Sequence, residues 1–210
     1  MPGAVIVGSG PGIGRSVARR FAKEGLEVGL VSRSGGDLGL GGVRTYRADC
    51  GDESELRAAL DAAAGEMGTP DVVVYNAAII RPDTLREVDA RAQLGAWSVN
   101  VVGALVTASQ VVPAMARRGS GTFLVTGGMP EPKAAYVSLS LGKAGVRAVV
   151  AMVDEEFGPS GVHAASVTVA GAVAPGTAFD PDDIAEHYWR LHVQPRQAWE
   201  REVVHAGTGQ

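Results

Sequence analysis

The chain is predicted to fold as a single α/β domain, a doubly wound and mostly parallel sheet of about seven strands with helices on both faces. Three observations carry this. Short β-branched runs alternate with stretches of helical periodicity along the whole length. The first such run opens onto a glycine-rich turn that leads straight into a helix. No repeat, low-complexity linker or break in composition divides the 210 residues, a length suited to one sizeable core.

Ala4-Val-Ile-Val7 reads as a strand buried on both faces, and Gly8, Gly10, Gly12 and Gly14 follow at two-residue steps. A helix from about Gly12 to Gly25 comes next, its periodic residues including Val17, Ala18 and Phe21. Backbone N–H groups gathered at the positive end of that helix form an anion site suited to a pyrophosphate. Side chains in place of the glycines would hold the phosphates off the backbone.

A second strand, Glu27–Val31, ends at Ser32-Arg33-Ser34, and a glycine-rich loop runs on to Gly42. Val43–Ala48 is a third strand, closed by Asp49-Cys50-Gly51-Asp52. Asp52 or Ser54 caps the next helix, with Leu56, Ala59, Leu60 and Ala63 on its apolar face. Asp71–Tyr75 is a fourth strand, and Arg81–Asp89 a polar connection. A long helix follows over 89–118, with Leu94, Trp97, Val101, Leu105 and Val112 at helical spacing. Gly121–Thr126 is a fifth strand, 134–157 a second long helix and Gly161–Val169 a sixth strand. Asp180-Pro181 opens a helix to His192, and Glu202–His205 is a seventh strand.

A net charge of −4 with unclustered basic residues argues against nucleic acid and against a polybasic membrane contact. No run approaches 18 consecutive apolar residues, and no signal peptide is read, so a membrane span is not expected. The lone Cys50 fits a reducing compartment, and a cytoplasmic location is the expectation. No metal ligand set is assigned.

Taken together, these motifs resemble the short-chain dehydrogenase/reductase family over most of the chain. Val7-Gly8-Ser9-Gly10-Pro11-Gly12-Ile13-Gly14 matches its Thr-Gly-x-x-x-Gly-x-Gly turn, with valine for the threonine. Asp49 matches the aspartate that ends the third strand and touches adenine. Tyr75-Asn76-Ala77-Ala78 keeps two of the four positions of Asn-Asn-Ala-Gly, and Asn100-Val-Val-Gly103 with Val112-Pro113-Ala-Met115 follows the long-helix pattern. The resemblance implies a Rossmann-like sheet and a nicotinamide dinucleotide. The glycine turn would hold it through Gly8, Ser9, Gly10, Gly12, Ile13 and Gly14, and the ends of the next strands through Ser32, Arg33, Ser34, Asp49, Cys50, Asn76, Ala77 and Ala78. Lys143, Gly171, Val173 and Thr177 would meet its nicotinamide half.

The second strand ends without the carboxylate that binds a ribose 2′-hydroxyl. Arg33 stands there instead, and its planar fork suits a 2′-phosphate. NADP(H) is therefore expected over NAD(H).

In the family a tyrosine transfers the substrate proton and a lysine four residues later holds the nicotinamide ribose. A serine on the fifth strand binds the substrate carbonyl, and an asparagine supports a water chain behind the lysine. Lys143 and Asn100 match. Leu139 stands at the tyrosine position and Gly128 at the serine position. Three substitutes stay open: Tyr136, two helical turns before Lys143; a late or shifted helix start near Pro130 and Pro132; and Thr126, Ser138 or Ser140 as orienting hydroxyls. His187 and Tyr188 are outlying candidates. The candidate catalytic set is thus Lys143, Asn100, Tyr136 and Thr126.

A short lid over about 174–195 would leave the pocket open or completed by a partner chain. The expected function is an NADP-dependent oxidoreductase that passes hydride to a small carbonyl, imine or activated double bond with a non-standard proton donor. The alternatives are a catalytically silent NADP-binding regulatory or scaffold protein, and a non-redox enzyme holding NADP structurally. A homodimer or homotetramer through helices 89–118 and 134–157 is expected.

Overall fold

The structure, a computed structural model, describes residues 3–207. Seven strands form one sheet: β1 (Gly3–Val7), β2 (Glu27–Ser32), β3 (Arg44–Arg47), β4 (Val72–Tyr75), β5 (Gly121–Thr126), β6 (Val162–Val169) and β7 (Glu202–His205). Their spatial order is β3-β2-β1-β4-β5-β6-β7, and every neighbouring pair is parallel. The order reverses between β1 and β4, so a crevice opens beyond their carboxyl ends, the place where such sheets bind ligands. β1, β4 and β6 are buried at every position, as expected of strands covered by helices on both faces.

Six α-helices supply those covers: α1 (Ile13–Lys23), α2 (Glu53–Met67), α3 (Ala90–Trp97), α4 (Gly103–Arg118), α5 (Val137–Phe157) and α6 (Pro181–His192). α2, α4 and α5 pack in the core on one face of the sheet, and α1 and α6 in the core on the other. Asp52, of the two capping candidates, caps α2 by accepting from the Glu55 N–H.

Three expectations are corrected. The second long helix begins at Val137, not 134. Asp83 stops it from starting earlier: its N–H donates to the Ala135 carbonyl (3.1 Å), its carbonyl accepts from the Val137 N–H (3.2 Å), and its carboxylate accepts from the Ser138 N–H (3.1 and 3.2 Å). Tyr136 is therefore paired to Asp83 as an isolated bridge, with φ −144° and ψ 59°. It precedes the helix and does not share a helical face with Lys143.

The helix over 89–118 is continuous but carries a π-helical turn, Ser98–Val102, between α3 and α4. That wider turn resets the phase of the apolar stripe. Val101 and Val112 are buried, whereas Leu94, Trp97 and Leu105 face outward at 69%, 40% and 50% exposure. By length and composition the stretch Ala90–Arg118 is apolar enough to cross a membrane, but 56% of its most apolar window is buried in the fold.

The stretch 174–195 is not mainly a lid. Ile184, Ala185, Tyr188 and Leu191, at helical spacing, are fully buried, so α6 lies on the sheet beside α1. Arg19 and Asp182 pair across the two helices, as do Arg20 and Glu186, and Phe21 meets Trp189 edge-on at 5.7 Å. Only the strap from Ala170 to Asp180 remains beside the crevice.

Candidate dinucleotide and catalytic site

The four glycines of the first turn fall into two kinds. Gly8 has φ +79°, and a Cβ there would lie 2.3 Å from the Ala77 nitrogen; one on Gly14 would lie 2.9 Å from Ser9 Cα. These two let the turn fold against β4 and itself. A Cβ on Gly10 or Gly12 would meet nothing within 4 Å, so these two keep open the space that a phosphate would enter. Gly12 caps α1 without any side-chain hydrogen bond, and the first turn carries no acidic residue. The first-turn amides of Ile13 and Gly14 have no backbone or cap partner among the described residues and would be open to an anion. The turn itself is fixed by the Gly8 and Ser9 N–H groups, which donate to the Val31 carbonyl at 2.9 and 3.1 Å. This cradle fits a dinucleotide pyrophosphate.

At the end of β2, the Ser32 hydroxyl accepts from the Gly35 N–H (3.1 Å) and lies 3.4 Å from that of Ser34. Arg33 is exposed. Ser32 pairs in register with Arg47 of β3, so a second exposed guanidinium stands one strand away. Sequence reasoning missed Arg47, because parallel register cannot be read from one chain segment. Asp49 bends the chain after β3, accepting from the Gly51 N–H at 2.9 Å. Burial first, and then the Asp49 charge, push the Cys50 thiol up to about 11. Cys50 therefore stays a protonated packing group.

A directed hydrogen-bond chain crosses the middle of the crevice. The Thr126 hydroxyl donates to Asn76 Oδ1 (2.8 Å) and lies 2.7 Å from the Tyr188 hydroxyl. Its one proton is spent on Asn76, so Tyr188 is the donor in the second bond. Asn76 Nδ2 in turn donates to the Gly8 carbonyl at 2.9 Å, which ties α6, β5 and β4 to the glycine turn. Burial raises the Tyr188 pKa far above its ordinary value.

Lys143 approaches from α5, on the opposite face. It is buried, and its Nζ donates to the Thr126 carbonyl at 2.6 Å. Burial first, then the charge of Arg147, bring its pKa down to about 8. Arg147, one turn further along, donates to the Gly128 carbonyl (3.0 Å) and to that of Met129 (3.4 Å). It thereby holds a turn in which Met129 has φ +46°, unusual for a residue with a side chain. Asn100, in the π turn, accepts from the Ile79 N–H (2.6 Å) and donates to the Ile79 carbonyl (3.3 Å). Its amide thus bridges both backbone groups of Ile79.

In the strap, a Cβ on Gly171 would lie 2.3 Å from the Phe179 ring. The Thr177 hydroxyl donates to the Ala174 carbonyl at 2.8 Å, a bond internal to the strap. Val173 and Thr177 are exposed, and Ala77 and Ala78 half-buried at the end of β4. His205 Nε2 lies 2.9 Å from the Ala178 carbonyl, and its Nδ1 lies 3.0 Å from His187 Nε2.

Residues 3–181 match the family described as short chain dehydrogenase. The cis-4-hydroxycyclohexanecarboxylate dehydrogenase of Sinomonas cyclohexanicum is 30% identical over 191 residues, covering 85% of this chain and 74% of that protein. The glucose 1-dehydrogenase of Gluconobacter oxydans is 26% identical over 195 residues, covering 84% and 69%. Among solved structures, a short-chain dehydrogenase from Rhodopseudomonas palustris superposes with a TM-score of 0.86 at 24% identity, over 97% of each chain. A metagenomic short-chain oxidoreductase in complex with NADP gives 0.87 at 24% identity, over 97% of this chain and 96% of that one.

Proposed function

The chain belongs to the short-chain dehydrogenase family, and from that premise we propose that it is an NADP(H)-dependent oxidoreductase acting on a small carbonyl, imine or activated double bond. Bound in the crevice, the nicotinamide supplies the hydride. The open glycines Gly10 and Gly12 and the uncapped start of α1 bind the pyrophosphate. Ser32, Arg33 and Ser34, joined by Arg47, take the 2′-phosphate; Asp49 and the backbone of Cys50 face the adenine. Asn76, Ala77 and Ala78 line the floor, Lys143 meets the nicotinamide ribose, and Gly171, Val173 and Thr177 edge the nicotinamide end. Asn100 fixes the Ile79 backbone behind the substrate.

The observation that carries this reading is the pairing of an intact phosphate cradle with a buried Lys143 at its far end, with no carboxylate closing β2. Fluorescence titration of NADPH and NADH tests the cofactor preference. NADPH should bind more tightly. Arg33→Ala should weaken NADPH by about tenfold to a hundredfold, the worth of a charge-assisted hydrogen bond, and leave NADH nearly unchanged. Equal loss for both cofactors would remove the 2′-phosphate role.

A second reading is favoured by Leu139 and Gly128, which lack the hydroxyls used for proton transfer in the family: a silent NADP-binding regulator. Tight NADPH binding with no loss of its absorbance against aldehydes, ketones and imines would select it. The exposed apolar residues of α3–α5 support a homodimer or homotetramer, and the buried, reduced Cys50 a cytoplasmic setting.

A further inference from the structure

Reduction of a carbonyl or imine needs a proton at the heteroatom as hydride reaches carbon, and no hydroxyl is hydrogen-bonded to Lys143 among the described residues. Leu139 and Gly128 have none. Thr126 gives its proton to Asn76, on the side of the sheet away from α5. Ser140 is shared with the Lys133 backbone, accepting from its N–H at 3.0 Å and donating to its carbonyl at 3.4 Å. Tyr136 precedes α5 and is paired to Asp83 through its backbone, and the Ser138 hydroxyl is buried without a partner; neither makes a hydrogen bond to Lys143 among the described residues.

On the reading that the chain turns over NADPH, we propose that the Lys143 ammonium is itself the proton donor. An ammonium has three N–H groups, and one is used, on the Thr126 carbonyl. The asparagine expected behind it, Asn100, is bound to Ile79 and takes neither of the others. Gly128 lies beside this side chain. A Cβ built there would lie 3.6 Å from Lys143 Cε and 3.6 Å from the Val169 carbonyl, with nothing closer. The space where a serine would hold the substrate oxygen therefore borders the end of the lysine side chain.

The charged group acting on Lys143 is Arg147 of its own helix. The neighbours from β5, β6 and the π turn, Thr126, Val169 and Asn100, carry no charge. Burial and a second cation both favour release of the proton, so the ammonium gives it up near neutral pH, as an efficient general acid must.

The step balances without a further reagent. Hydride from NADPH forms the new C–H bond, and the π bond to oxygen or nitrogen breaks. Its electron pair takes a proton from Lys143 Nζ, and the N–H bond breaks to leave a neutral amine. NADPH is oxidised to NADP+, the substrate is reduced, and the amine regains a proton from water before the next turnover.

The test uses the full chain with NADPH and a panel of small aldehydes, ketones and imines. Lys143→Arg keeps the charge but not the releasable proton. It should lower kcat about a hundredfold or more while NADPH affinity stays within about threefold, a split that loss of a ribose contact would not give. Lys143→Ala should regain turnover on addition of methylamine or ethylamine, at rates that follow the acidity of the added ammonium. Wild-type kcat should fall as pH rises through about 8. Full kcat in Lys143→Arg would overturn the proposal alone, as would abolition of turnover by Tyr136→Phe with Lys143→Arg still active. NADPH binding without turnover of any substrate by wild type would remove both the proposal and the oxidoreductase reading.

Discussion

At the scale of single residues, Lys143 has a thermodynamic signature of its own. Its folded pKa, about 8, lies below the ordinary 10.5, so the unfolded chain holds the proton more tightly than the folded one. Stability must then rise with pH between about 8 and 10.5, and below about 8 the buried charge is a fixed penalty. Lys143→Met should therefore be more stable than wild type at pH 7, on the order of 1–3 kcal/mol after allowing for the lost bond to Thr126. Urea denaturation at pH 7 and pH 10 checks this: the advantage should shrink at the higher pH, and a gap independent of pH would contradict it. The position of Lys143 was legible because a lysine in an apolar helix stands out in sequence. The contact of Asn100 with Ile79 was not, because it depends on how two segments meet. Asp83 likewise lay hidden in a stretch read only as polar, and its role as the stop of α5 exists only once residues 55 positions apart are brought together.

Among elements, α5 and the π turn show why sequence periodicity went only part of the way. A Cβ on Gly142 would lie 2.7 Å from Asn100 Cβ and 2.8 Å from its Nδ2. Gly145, nearly one turn on, is pressed in the same way against Val101 at 2.7 Å. The two glycines let α5 sit close against the turn that carries Asn100. For Gly142→Ala, the helix-propensity gain of about 0.5–1 kcal/mol opposes an overpacking loss of about 1–3 kcal/mol. Loss should win, and thermal unfolding should show a lower Tm; a higher Tm would mean that Asn100 yields without strain. The same π turn accounts for Leu94 and Trp97 in the misplaced stripe of helix 89–118, which precede it, but not for Leu105, which follows it on α4 with buried Val112. A 3.6-residue period drawn back through it from Val101 assigns Leu94 and Trp97 to the core, and one wider turn is invisible to any fixed period.

Over the whole molecule, the seven strands were legible to within a residue or two, since buried parallel strands are short apolar runs bounded by turn residues. What sequence could not show was which apolar residues the finished fold leaves outside. Leu94, Trp97, Leu105, Leu141 and Met152 are 40–69% exposed on helices of one face, more than scattered surface residues require. In sedimentation at micromolar concentration the wild type should run as a dimer or tetramer. Leu105→Glu with Met152→Glu should shift it toward the monomer, and an unshifted boundary would place the interface elsewhere. The two histidines beside the strap bear on a different property, the polarity of the protons that latch it. The Ala178 carbonyl can only accept, so His205 Nε2 carries a hydrogen and its Nδ1 offers a lone pair to the N–H of His187. That arrangement makes His187 the donor of the pair. Burial first, then His205 and Arg190, lower the His187 pKa from 6.5. The stability contributed by neutral His187 is therefore complete above about pH 6.5 and is lost as pH falls below it. Acid would put a charge on the half-buried His187, beside Arg190, and weaken the contact of α6 with β7. Hydrogen exchange of the strap amides 171–179, corrected for intrinsic rates, should accelerate between pH 7.5 and pH 5 more than that of β6, and equal changes in both would count against the latch. The reach of the strap over the crevice would then be a function of the acidity around the protein.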